Sequence, residues 1–130
     1  MPTPQRTSLE AIVAAGRTAL EDGGPEHVTM NAVADRVGVR APSLYKRVKD
    51  REALLGMIAS ATLEDLRERL QGQDSLAGLA RTYRTFAHEH PEGFRLIQTR
   101  TASAEDLARA SEPVLAAARK AVGETDALEA

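Results

Sequence analysis

A glycine and a proline four residues apart constrain this chain more than any other feature. Residues 29–55 read TMNAVADRVGVRAPSLYKRVKDREALL. Gly38 stands where a left-handed residue ends a helix. Pro42 suits the first turn of the next helix, where its missing N–H is not needed. Two short helices must therefore follow one another across a tight turn. Thr29 reads as the N-cap of the first, and Val28 and Val33 have the spacing of a hydrophobic staple. Val33, Ala34 and Val37 recur at helical spacing. Ala34 and Gly38 are small enough to let the second helix cross closely. That helix is expected over residues 41–48. At roughly 100° per residue, Leu44 and Val48 share one face. Pro42, Ser43 and Lys46 point the other way, with Tyr45 and Arg47 on the flanks. One face packs on a core and the opposite one is offered to a partner.

Charge indicates the chemistry of that partner. Between Arg36 and Arg51 the basic residues are Arg36, Arg40, Lys46, Arg47, Lys49 and Arg51, against the single acid Asp50, a net +5. The whole chain carries −2, so the remainder carries −7. A cationic segment on an acidic protein suits a polyanion. Two short helices across a tight turn fit the major groove of DNA.

The rest of the chain reads as helix. Aromatic residues are only 3 % of a chain that is 42 % hydrophobic, so its core must be built from Leu, Val, Ile and Ala, which suits helices. Its 130 residues hold one modest core or two small packed units. Residues 1–6 read as a loose tail. Thr7 with Glu10 fits a capping box opening helix 1, and Leu9, Ile12, Val13, Gly16 and Leu20 form its apolar stripe to about Asp22, where Gly23-Gly24-Pro25 ends it. Asp50 is expected to cap a long helix 4 that buries Leu54, Leu55, Ile58, Leu66 and Leu70. Gly72 and Asp74 mark a loop. Ser75 caps helix 5, with Leu76, Leu79, Tyr83, Phe86 and Ala87 on one face. Pro91 opens helix 6, carrying Phe94, Leu96 and Ile97. Ser103 and Asp106 open helix 7, which continues through Leu107, Val114, Leu115, Ala118 and Val122 to Gly123, with Pro113 as a kink. Residues 125–130 read as the opening of a further helix. The expected fold is all-α: a three-helix helix-turn-helix head followed by an antiparallel helical regulatory domain that is C-terminally incomplete.

Several classes are disfavoured. No run approaches the roughly 18 apolar residues of a membrane span, and the first ten residues lack the apolar core of a secretion signal. Without cysteine there is no disulfide, thiol switch or Cys-ligated zinc. A cytoplasmic protein without a membrane partner is expected. His88 and His90 are two apart on a helix, roughly 200° around it, and cannot chelate one ion as an i, i+4 pair can. His90, ahead of Pro91, is expected to cap helix 5 as a cation on the helix dipole. No nucleophile elbow, Walker loop, dinucleotide fingerprint or convergent titratable set appears, so neither a cofactor nor an enzyme is expected.

The segment VGVRAPSLYKRVKDREALL resembles the DNA-binding signature of the TetR (tetracycline-repressor-like) family of transcriptional regulators. The matching elements are the turn Val37-Gly38-Val39, the Leu44-Tyr45 pair, and the run from Val48 to Leu55 that enters the long helix. The resemblance covers about residues 8–55 closely and is looser over residues 63–123. It implies a DNA-binding domain over residues 1–48 and a helical ligand-binding and dimerisation domain over residues 49–130. It also implies a ligand-responsive repressor that binds a near-palindromic, double-stranded operator as a homodimer when full length and is released by a small-molecule effector.

Within that frame, Ser43 and Lys46 reach base edges, where lysine prefers guanine O6 and N7. Arg40, Ala41 and Pro42 lie at the helix start that approaches the groove. Asn31 stands where the family commonly carries a base-reading arginine, and can itself read adenine. Thr29, Tyr45, Lys49 and Arg51 are expected on phosphates, and Arg47 serves either role. For the effector, Tyr83, Phe86, Phe94 and Ile97, with Met57 and Ala61 across on helix 4, would line an apolar cavity. Gln98 and Arg100 would be its polar partners. The alternative for these side chains is plain core packing. The alternative is a helical interaction module that uses the same head to bind an acidic protein; it predicts partner capture and no operator footprint.

Overall fold

The computed structural model describes residues 8–100, 111–113 and 115–120. Their order is α1 (Leu9–Gly23), a 3-10 turn (Pro25–His27), α2 (Met30–Val37), α3 (Ala41–Tyr45), α4 (Arg51–Gln71), α5 (Leu76–Glu89) and α6 (Pro91–Thr99). Residues 111–113 and 115–120 are also helical, and no strand occurs among the described residues. The expected opening of helix 7 at Ser103 and Asp106, with Leu107, Val114, Val122 and residues 125–130, lies outside them.

Short polar side chains start four of these helices. Ser8, Thr29, Asp50 and Ser75 accept the backbone N–H of Ala11, Ala32, Ala53 and Gly78 at 3.2, 3.0, 2.8 and 3.0 Å. Each satisfies one of the donors a helix N-terminus leaves open. The cap of α1 is thus Ser8, one residue later than the Thr7–Glu10 pairing suggested; Thr7 lies outside the described residues. α2 ends at Gly38, whose φ of 87° is a left-handed value, with its N–H on the Ala34 carbonyl at 2.9 Å.

α3 is shorter than residues 41–48. After Tyr45 the coil tightens, and the N–H groups of Arg47 and Val48 converge on one carbonyl, that of Leu44, both at 2.9 Å. This lets the chain leave the helix into the extended cap at Asp50 while Val48 stays under the helix beside Leu44. Both are buried.

Two apolar cores share α4, which is about 31 Å long at 1.5 Å per residue. The first lies under the head, where Ile12, Leu20, Val28, Val33, Leu44 and Val48 pack on Leu54, Leu55, Ile58 and Ala59 of α4. The second gathers Leu66 and Leu70 of α4 with Leu79 and Phe86 of α5 and Ala117. α1 meets α4 at Gly16, where a Cβ would stand only 2.5 Å from Ile58 Cδ1, so a larger residue there would force the Ile58 side chain to shift. On α5 the buried pair is Leu79 and Phe86. Leu76 and Tyr83, expected on the same face, are exposed. Both pairs are seven residues apart, but the pairs are offset by three, which rotates the second line roughly 60° away from α4.

α6 is bound to the head along its length. Proline opens it and its N-cap, His90, gives no side-chain hydrogen bond. The acceptor comes instead from α1: the Glu21 carboxylate takes the N–H of Glu92 at 3.0 Å and of Gly93 at 2.9 Å. Leu96, mid-helix, enters the head core. Just past the far end, Arg100 donates to the Glu52 carbonyl at 3.1 Å and pairs with its carboxylate at 2.5 Å, in the first turn of α4.

A second polar chain joins α1, α4 and α5: Arg17–Asp65 at 2.9 Å, Asp65–Arg69 at 3.0 Å and Arg69–Glu89 at 2.8 Å. Burial on its own would raise the Asp65 carboxyl, but hydrogen bonds from Arg17 and Arg69 and their charges outweigh it and hold the group below its ordinary 3.8. A depressed folded-state value gives stability that is present above the unfolded value and is lost as pH falls through the folded one. Asp65→Asn is therefore expected to be less stable than the parent at neutral pH, with the gap narrowing below about pH 4. Urea unfolding across pH checks this; a gap independent of pH would contradict it.

Candidate nucleic-acid interface

α3 is too short to hold itself together and takes its orientation from what it buries. Leu44 and Val48 point into the head core. The opposite side presents Pro42 and Lys46 exposed and Ser43 half-buried, with Tyr45 52 % exposed. Ala41 is half-buried at the helix start, next to exposed Arg40. The outward face expected from the sequence is the outward face in the structure.

The six basic residues of this segment divide into two groups. Arg36 turns back to Asp22 of α1 at 2.8 Å. Arg51 donates from Nε to the Val28 carbonyl at 2.7 Å and from Nη2 to the Pro25 carbonyl at 2.6 Å. The phosphate role expected for Arg51 therefore competes with an internal one. Arg40, Lys46, Arg47 and Lys49 are exposed, and among the described residues none of their side chains has an ion-pair or hydrogen-bond partner. These four unneutralised cations sit within ten residues on a chain of net charge −2. Thr29 and Asn31 are exposed at the start of α2. The Thr29 hydroxyl accepts the Ala32 N–H and keeps its own proton to donate.

Among the described residues, those expected around an effector pack in several places. Met57 and Ala61 line a groove against Leu9, Val13, Ala14 and Arg17 of α1. Phe94 packs on the second core, whereas Met57 packs on the core under the head. Phe86 is wholly buried in that second core, Tyr83 meets Phe94 edge-on with ring centroids 5.2 Å apart, and Ile97 packs on Leu63. Gln98 is exposed, and Arg100 is held by Glu52. His90 caps the end of α5, its backbone N–H on the Phe86 carbonyl at 2.8 Å. Its ring lies 3.9 Å from both the Glu21 and the Glu89 carboxylates. Among the described residues no three His, Asp or Glu side chains are grouped to hold a metal ion, and no helix is long and apolar enough to cross a membrane.

The tertiary polar contacts carry no local signal, because Glu21 and Gly93 are 72 residues apart and Arg17 and Asp65 are 48 apart. One hint was available: a helix that opens on Pro91 without a Ser, Thr, Asp or Asn cap must find its acceptor elsewhere in the fold.

A short helix seated on an apolar anchor, flanked by unpaired cations and set across a glycine turn from its supporting helix, defines a helix-turn-helix protein. Two family models match the chain: "Bacterial regulatory proteins, tetR family" over residues 12–58, and "Tetracyclin repressor-like, C-terminal domain" over residues 76–130. The chain belongs to the TetR family of transcriptional regulators. An uncharacterised helix-turn-helix-type transcriptional regulator of Mycobacterium tuberculosis is 32 % identical over 95 residues, covering 68 % of this chain and 44 % of that protein. The class C tetracycline repressor protein of Escherichia coli is 39 % identical over 54 residues, covering 42 % and 25 %. The chain thus matches less than half the length of either relative. A crystal structure of TetR from Acinetobacter baumannii in complex with minocycline shares the fold at a TM-score of 0.62, with 22 % identity over 78 % of this chain and 60 % of that one.

Proposed function

We propose that this protein is a ligand-responsive repressor whose α2–α3 face binds a near-palindromic DNA operator, with two copies of the full-length protein engaging its half-sites. The observation that carries the reading is the set of four exposed cations with unpartnered side chains, Arg40, Lys46, Arg47 and Lys49, flanking a helix anchored by Leu44 and, just past its end, Val48. Arg40, Ala41, Pro42, Ser43 and Lys46 address the groove, and Asn31 reads a base from α2. Thr29, Tyr45 and Lys49 meet phosphates, and Arg47 serves either. In a dimer the two α3 helices must lie roughly 34–36 Å apart, one turn of B-DNA. A small molecule that binds a differently spaced state more tightly would release the operator. The minocycline held by the structural relative supports an effector of that kind, though not its identity.

Selection of duplexes from a random pool, followed by binding across a salt series, tests the reading. Expected are a sequence preference over random DNA and an affinity that falls steeply with salt, because each neutralised phosphate releases counterions. Lys46→Ala is expected to cost about 1–3 kcal/mol on the selected duplex and to relax one position of the site. Binding without sequence preference, or with no dependence on salt, would refute the proposal.

A further inference from the structure

We infer that Arg51 is a positioning residue of the DNA-binding head and not one of its phosphate contacts. The inference rests on the DNA-binding reading above and adds a residue role to it. Arg51 is the first residue of α4, yet its side chain is folded back on the chain 23 and 26 residues earlier. Its Nε donates to the Val28 carbonyl at 2.7 Å and its Nη2 to the Pro25 carbonyl at 2.6 Å.

Those two carbonyls bracket the 3-10 turn that leads into α2. The Pro25 carbonyl also accepts the Val28 N–H at 3.1 Å, closing that turn. The Val28 carbonyl belongs to the peptide joining Val28 to Thr29, and Thr29 caps α2. Val28 is itself wholly buried. A planar guanidinium with donors in a fixed fork holds two acceptors in one geometry, which a lysine ammonium on a flexible stem does not. Arg51 therefore locks the start of α2, carrying Thr29 and Asn31, to the start of α4, beside Lys49. Without the lock the two groups of DNA contacts keep their charges but lose their common register.

Charge release and register are separable by measurement. Wild type, Arg51→Lys, Arg51→Gln and Lys49→Gln of the full chain are titrated with the duplex recovered by selection, across a salt series, with amide exchange followed at Ala32 and Val33. Both Arg51 variants are expected to lose about tenfold in affinity, as for loss of hydrogen bonds from a charged donor, with the salt slope unchanged and exchange at Ala32 and Val33 faster. Lys49→Gln is expected to lower the slope by about 0.9 and leave exchange as in wild type. An Arg51→Lys variant that binds like wild type, beside an Arg51→Gln variant whose slope drops by about 0.9, would make Arg51 a phosphate contact and overturn the inference. If Arg51→Gln fails to fold, the lysine variant decides alone: tenfold loss upholds the lock and wild-type binding overturns it. If wild type itself binds no duplex, the functional proposal fails. The lock is then judged on exchange, upheld by acceleration at Ala32 and Val33 and overturned by none.

Discussion

Leu44→Ala is expected to destabilise the protein by about 2–5 kcal/mol, the range for truncating a buried leucine. The side chain is 0 % exposed and packs among Val33, Val48 and Leu54. The consequence for DNA is expected to exceed that of an ordinary core mutation. α3 has five residues, and a helix that short has almost no stability of its own. Its direction is set by Leu44 and Val48, so a void under Leu44 frees the turn that carries Lys46 and Arg47. Urea unfolding and duplex titration at a temperature well below melting should both show the loss. Leu44→Met, which nearly conserves volume, should cost less than about 1.5 kcal/mol and keep duplex binding. Full duplex affinity in a folded Leu44→Ala variant would show that α3 is oriented by something else.

Phe86→Ala should cost a similar amount, about 3–5 kcal/mol, with a different outcome for DNA. Phe86 is the largest fully buried side chain and the centre of the second core. Its ring also lies under the Arg69 guanidinium, 5.4 Å from the centroid, and against the His90 ring at 4.9 Å. With so few aromatics in the chain, Leu66, Leu70 and Leu79 have no comparable ring to close upon. None of these residues belongs to the core beneath α3. Where the variant remains folded, duplex affinity should stay close to wild type while the denaturation midpoint falls. A loss of DNA binding as large as that of Leu44→Ala would mean that the two cores do not act separately.

The helices were legible in the sequence because their signals are local. Thr29, Asp50 and Ser75 are caps read from single residues, Gly38 and Pro42 punctuate the turn, and the spacing of Leu44 and Val48 gives the inner face of α3. The face of α5 was not legible, since Leu76–Tyr83 and Leu79–Phe86 are equally periodic lines and only the position of α4 selects between them. The cationic patch was legible as composition and overcounted as free donors: Arg36 is paired with Asp22, and Arg51 turns its N–H groups to backbone carbonyls that are distant in sequence. Apolar character alone groups Met57 with Phe94, whereas in the fold Met57 packs on the core under the head and Phe94 on the second core. Glu21 gave no sign of its role, because a lone glutamate near the end of a helix looks like any solvated acid.

The anchoring of α6 has a mechanical corollary. A strut pinned at one end by Glu21, at the other by Arg100 and at mid-span by Leu96 cannot pivot about either end without bending or tearing loose a fastening. Whatever leans on α6 therefore delivers its load to the last turn of α1 and the first turn of α4 together, and these two turns frame the segment that carries α2 and α3.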